Sequence, residues 1–273
     1  MSRSKTGTSY DLTGPSWAPV LVLVHGLGLT RQIWDAIVPV FAEHYRVLTY
    51  DLCGHGESAL AQEKPSLTVL SDQLAALLDE LGITCACIIG FSLGGMINRR
   101  FAMDHPSRVT ALVILNSPHE RSPEAQRLVE ERAAETGAGG PAATIKSTME
   151  RWFTPQFLQD APEVVSKIRA WVLANDPDNY ARHRQVLAGG VVELTRPRPP
   201  ITAPTLVMTC EHDSGSPPSM SFAIASEIAA AETVIVPGLQ HLGLIEQPDF
   251  FTEAILRFLG RKALQLRKDG TSA

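Results

Sequence analysis

Ala86-Cys87-Ile88-Ile89-Gly90-Phe91-Ser92-Leu93-Gly94-Gly95 is the stretch that decides the reading of this chain: an apolar run of strand type ends on a serine flanked by glycines. A helical pattern then begins at once, with Met96, Ile97 and Phe101 on one face. A strand that turns directly into a helix leaves no space for side chains two residues before and two after the turning residue, the places filled here by Gly90 and Gly94. Ser92 is therefore expected to stand out at a helix N-terminus, where free backbone N–H groups and the helix dipole favour a developing negative charge. Gly-x-Ser-x-Gly alone occurs in ordinary turns, but between a strand and a helix it is the nucleophile-elbow pattern.

Outward from that elbow, short runs rich in Val, Ile and Leu recur at 20–24, 47–50, 86–89, 111–115, 205–209 and 233–236. Leu70, Leu74, Leu77, Leu78 and Leu81 repeat at helical spacing with Gly82 as a stop, and Ile33, Ile37 and Phe41 do the same after the first run. Strands alternating with helices predict an α/β fold with a doubly wound, mostly parallel sheet. The alternation lapses between 115 and 205, where helix-like stretches at 124–136, 145–153 and 164–173 are separated by 137–141 and 175–177. A structureless connection of such length does not suit a compact domain, so an α-helical cap over the edge of the sheet is predicted. No Ser/Gly/Pro-rich linker divides the 273 residues. The expected organisation is a core over 1–118 and 201–273 with the cap at 119–200.

The composition, 44% hydrophobic and 19% charged, is sufficient for a large core. A formal charge of −5 with scattered basic residues gives no reason to expect nucleic acid. The longest apolar runs fall far short of the roughly 20 residues that cross a bilayer, so no membrane association is expected. Residues 1–10 are polar and carry no signal-peptide core, which predicts a cytoplasmic protein. Cys53, Cys85, Cys87 and Cys210 form neither a CxxC pair nor a zinc-like spacing and are read as reduced thiols, so no metal is expected. Cys53 and Cys210 lie beside motifs and are read as small fillers.

A serine hydroxyl needs a base to become nucleophilic, and in this type of fold the order along the chain is serine, acid, histidine. Glu211-His212-Asp213 follows the run at 205–209, and His241 follows the last run in a loop before the final helix. The expected catalytic set is Ser92, Asp213 and His241. Asp213 is preferred to Glu211 and His212 because it falls where the short loop presents its carboxylate. His105, in Asp104-His105-Pro106, reads as a helix-end residue, and His25 as a brace for its own loop. The backbone N–H groups of Leu93 and of Leu27, in His25-Gly26-Leu27-Gly28, are the expected oxyanion donors.

HGLG at 25–28, DLCGHGES at 51–58, GFSLGG at 90–95, EHD at 211–213 and GLQH at 238–241 together resemble the α/β-hydrolase family across nearly the whole chain. Within it, RWFTPQF at 151–157, PTLVM at 204–208 and HLGLIEQPDFF at 241–251 are most similar to the 3-oxoadipate enol-lactonase branch. The resemblance implies a cap inserted after the sixth core strand and hydrolysis of a small-molecule carboxylic ester or lactone through an acyl-enzyme, with no cofactor. Cys210 stands where many relatives carry Gly, and the short stretch before Val20 leaves little length for the usual N-terminal hairpin. Trp34, Trp152 and Phe153 are expected to line the cleft, with Trp171 and Tyr180 as further aromatics. Arg151 is expected to meet an acidic substrate, with Arg182 and Arg184 as other cap cations. A general carboxylesterase, a C–C bond hydrolase, a cofactor-free perhydrolase and a ligand-binding receptor with a vestigial triad stay open, as does a homo-oligomer. Serine rather than aspartate at 92 disfavours a dehalogenase.

Overall fold

The structure, a computed structural model, describes residues 2–269, with side chains through 261 apart from that of residue 138. Eight strands form one sheet: β1 (Ser2–Arg3), β2 (Ser9–Thr13), β3 (Val20–Val24), β4 (Arg46–Tyr50), β5 (Ala86–Phe91), β6 (Val109–Leu115), β7 (Thr205–Cys210) and β8 (Ala231–Val236). Their order is β1-β2-β4-β3-β5-β6-β7-β8, parallel from β4 to β8, with β1 and β2 added antiparallel at one edge. Every residue of β5 and of β7 is buried. Their sequences accordingly lack the apolar–polar alternation of a sheet with one wet face, as a sheet covered on both faces requires.

The helices are α1 (Val38–Phe41), α2 (Leu67–Glu80), α3 (Leu93–Asp104), α4 (Pro123–Gly139), α5 (Ile145–Trp152), α6 (Pro155–Asp160), α7 (Pro162–Leu173), α8 (Pro177–Gly189), α9 (Pro218–Ser226), α10 (Gly243–Glu246) and α11 (Pro248–Asp269). From β3 the chain moves to β4 on one side, and from β4 it crosses back over β3 to β5. Right-handed crossovers in opposite directions put their helices on opposite faces. Accordingly α1 packs with α11, whereas α2 packs with α3. Leu67, Leu70, Leu74, Leu77 and Leu78 form the buried stripe by which α2 covers its face of the sheet.

The doubly wound sheet matches the expectation, with three local corrections. The run Ile33, Ile37, Phe41 is buried but is not one helix: a 3-10 turn at Arg31–Trp34 precedes the four-residue α1. Pro39 lacks the N–H that a continuous helix would donate to residue 35, so the run breaks in two. The N-terminal hairpin is present despite the short leader, because two residues suffice for β1 and five for β2. Between β6 and β7 the structure holds five helices, adding α6 and α8 to the three stretches expected. Both open on proline after a capping side chain: Thr154 accepts from Phe157 N–H and Asp176 from Asn179 N–H. Asp176-Pro177, which reads as a break, is the start of α8. Among the described residues no helix is long and apolar enough to cross a membrane.

Candidate active site

The crevice lies where the chain leaves β3 toward one edge and β5 toward the other, the switch point at which open α/β sheets bind ligands. Ser92 sits there between β5 and α3 with φ 55° and ψ −112°, a backbone state that a non-glycine residue holds only under constraint. The constraint is visible: Ser92 N–H bonds Leu115 C=O at 2.8 Å, pinning the turn to β6. A Cβ on Gly90 would collide with Gly94 C=O, and one on Gly94 with Val24 C=O, so both sites require glycine.

Three side chains from separate loops converge on this point. Ser92 Oγ lies 3.1 Å from His241 Nε2, and His241 Nδ1 donates to Asp213 Oδ2 at 2.7 Å. All three are buried, Ser92 retaining 7% of its surface toward the cavity. Asp213 also accepts from Asn116 Nδ2 at 2.9 Å, Gly215 N–H at 2.9 Å and Ser216 N–H at 3.0 Å. Burial pushes the Asp213 carboxyl up, but the His241 charge and hydrogen bond, the Asn116 amide and the Ser216 N–H together hold it below the usual carboxylate value. The rivals are elsewhere: Glu211 accepts from Gly238 N–H and His212 is exposed beside it.

Asn116 is a site residue that sequence reasoning missed. It follows β6 at φ 49°, a left-handed state that asparagine tolerates. Its N–H bonds Met208 C=O at 2.8 Å, fixing the amide beneath Asp213. Asn116-Ser117-Pro118 directly after an apolar run was the available signal.

Leu93 opens α3, so its N–H is one of the four N-terminal amides without an intrahelical acceptor. The loop carrying Leu27 borders the same cavity, with Gly26 against Ser92. His25 braces that loop as expected, its Nδ1 donating to Gly26 C=O at 2.8 Å while Nε2 accepts from Leu52 N–H at 2.9 Å. Cys210 fills space beside Gly243, and burial raises its thiol to about 12. Among the described residues no group of His, Cys, Asp or Glu has metal-binding geometry.

The cavity over Ser92 and His241 measures about 60 Å³. Arg151 and Trp152 line it. Trp34 and Phe153 do not. Trp34 belongs to the turn after β3 and is wholly buried in the core, and Phe153 turns away at the end of α5 to stack on Phe157 at 5.3 Å. Arg184 lines the cavity, whereas Arg182, two residues away on α8, faces a surface cleft near Leu60 and Glu63. Arg121 and Arg132 complete the lining and were not anticipated. The loop bearing His241 is fastened to α5: Leu242 N–H bonds Trp152 C=O at 2.8 Å, and the Gln240 amide donates to Glu150, Arg151 and Phe153 carbonyls at 2.8–2.9 Å.

Comparison with known proteins agrees with this geometry. The sequence profile of the alpha/beta hydrolase family matches residues 21–254. The chain is 28% identical to 3-oxoadipate enol-lactonase 2 of Acinetobacter baylyi over 90% of this chain and 91% of that protein. It is 30% identical to pimeloyl-[acyl-carrier protein] methyl ester esterase of Aeromonas hydrophila, covering 89% of this chain and 96% of that one. The crystal structure of an enol-lactonase from Burkholderia xenovorans LB400 superposes with a TM-score of 0.86 at 29% identity, over 93% of this chain and 96% of the other.

Proposed function

The chain belongs to the alpha/beta hydrolase family, and from that premise we propose that it is a serine hydrolase cleaving a carboxylic ester or lactone through an acyl-enzyme. The observation that carries the reading is the relay from Ser92 Oγ to His241 Nε2 and from His241 Nδ1 to Asp213, opening on one cavity. Ser92 Oγ attacks the substrate carbonyl carbon as its proton passes to His241, whose positive charge Asp213 stabilises. The N–H groups of Leu27 and Leu93 hold the oxyanion. The carbon–oxygen bond breaks and the departing alkoxide takes the proton from His241; in a lactone it stays attached to the acyl chain. Water, deprotonated by the same histidine, then releases the acid and restores Ser92.

We divide the work between a core at 1–118 and 201–273, which carries the reacting groups, and a cap at 119–200, which selects the acyl group. Lactone hydrolysis is favoured over plain ester hydrolysis by the enol-lactonases among the similar proteins and by Arg151 in the lining. A fluorophosphonate probe followed by mass spectrometry of the labelled peptide tests the reading. Label is expected on Ser92, and Ser92→Ala should keep the fold while losing label and turnover. Retention of more than about a hundredth of the activity would remove Ser92 as sole nucleophile, given the size of triad effects. Label without turnover of any ester or lactone would leave a binding protein with a vestigial triad.

A further inference from the structure

Four arginines, Arg121, Arg132, Arg151 and Arg184, line the cavity that also exposes Ser92 and His241. Among the described residues none of the four is in an ion pair with a carboxylate. Arg121 donates to the Gln126 side chain and to Leu187 and Ala188 carbonyls, all neutral acceptors. Among the described residues no hydrogen bond engages the guanidinium groups of Arg132, Arg151 or Arg184, and the buried Nε atoms of Arg121 and Arg184 have no partner. The carboxylates that bear on the group are Asp213, already committed to His241, and Glu135 beside Arg184.

Burial first, and then charged neighbours, lower Arg121, Arg151 and Arg184. Arg121 falls to about 10 through burial and then Arg184, and Arg151 to about 10 through burial and then Arg132 and Arg184. Concentrating positive charge in a crevice of a chain whose formal net charge is −5 is costly unless something negative enters.

We propose that the substrate is an ester or lactone whose acid part carries two free carboxylates, gripped jointly by Arg151, beside Gly215 in the Asp213 loop, and by Arg121, Arg132 and Arg184. The assignment rests on the serine-hydrolase reading and narrows it. A monoanion would leave most of the cationic lining uncompensated, whereas two carboxylates accept from several guanidinium groups at once.

The test compares dimethyl succinate, monomethyl succinate and the 1-methyl ester of propane-1,2,3-tricarboxylate, which offer zero, one and two free carboxylates beside the same methyl ester. kcat/KM is expected to rise about tenfold or more at each step, the size of one charge-assisted hydrogen bond, and less steeply at high salt. In a parallel arm without chemistry, propane-1,2,3-tricarboxylate should raise the Tm of Ser92→Ala more than succinate does, and succinate more than butyrate. Arg132→Gln and Arg184→Gln should flatten the second step while raising the ligand-free Tm, because each removes an uncompensated cation. Arg182→Gln, outside the cavity, should change neither. A neutral or singly charged ester as the best substrate, or a dianion preference untouched by both variants, would overturn the proposal. Binding of the tricarboxylate without turnover of any ester would instead sink the hydrolase reading and leave the anion site standing.

Discussion

Buried charge is handled in opposite ways on the two sides of one cavity. On the sheet side the Asp213 carboxylate accepts from His241, Asn116, Gly215 and Ser216, so its charge is satisfied before any ligand arrives. On the helical side Arg132, Arg151 and Arg184 lie half-buried or buried, and among the described residues none of them is in an ion pair with a carboxylate. Groups that must stabilise charge during a reaction gain from being fixed in advance, since reorganisation then adds nothing to the barrier. Groups that recognise a ligand gain from leaving their bonds unmade, since those bonds then form with the ligand. On the proposed function, the contrast assigns the sheet side to the reaction and the helical side to recognition.

Asp213→Asn breaks the satisfied side at its centre. On the proposed mechanism, loss of the charge and of the histidine tautomer it selects should lower kcat by roughly 10⁴, by analogy with the same change in a characterised Ser-His-Asp triad. Glu211→Gln should leave kcat near the parent value, because Glu211 accepts from Gly238 N–H and faces the exposed His212, away from His241. A larger loss from Glu211 than from Asp213 would reverse the assignment of the acid.

Arg151→Leu probes the unsatisfied side. Hydrogen bonds to charged groups contribute roughly 1.5–3 kcal/mol, which is about one to two decades in kcat/KM for an ester bearing a carboxylate. A neutral ester of the same size should be hydrolysed almost unchanged. Equal losses on both would mean that Arg151 holds α5 in place and does not read the substrate.

Asn116→Ala returns to the satisfied side with a smaller expected effect. It removes one of the donors to a buried carboxylate and should cost about 1–3 kcal/mol of stability, read as a shift of the urea midpoint. Asn116→Asp adds a second buried carboxylate against Asp213 and should be worse than alanine. If alanine is neutral, Asp213 does not depend on that amide.

The two sides differ in legibility for the same reason. Gly90, Gly94, Asp213 and His241 are dictated by backbone sterics and by an order along the chain, both of which survive in a one-dimensional pattern. Helix α8 escaped because its inner face carries Asn179, Tyr180, His183 and Arg184, so no apolar period marks it. Arg121 and Arg132 escaped because two arginines eleven residues apart look like solvated surface until α4 folds back onto α8. Trp34 and Phe153 were misplaced for the opposite reason: large aromatics suit a core as well as a pocket, and composition does not distinguish the two.

Where the two sides meet, a seam of three buried histidines joins them, and its expected effect is the smallest. His25 and His55 belong to loops of the core and His183 to α8; His55 lies 5.5 Å from His25 and 4.7 Å from His183, ring to ring. Asn179 adds a hydrogen bond across the seam to Gly54 C=O at 2.8 Å, and the Cys53 thiol faces His183. Asp51 and Arg31 are the charged groups that bear on His25. Burial lowers all three histidines below their ordinary value, with the other ring charges lowering His25 and His55 further. A base held neutral in the folded state binds fewer protons than the unfolded chain, so stability falls as pH drops through the unfolded histidine value of about 6.5. Each such histidine should cost about 1.4 kcal/mol at a pH about one unit below that value. Asp213, whose carboxyl is lowered, loses its contribution only in the more acidic carboxylate range, so the windows do not overlap. His55→Gln should therefore reduce the decline in unfolding free energy between pH 7 and about 5.5 by one histidine's share, while Ser92 labelling at pH 7 is retained. An unchanged slope would show that His55 binds protons equally well in the folded and unfolded chains.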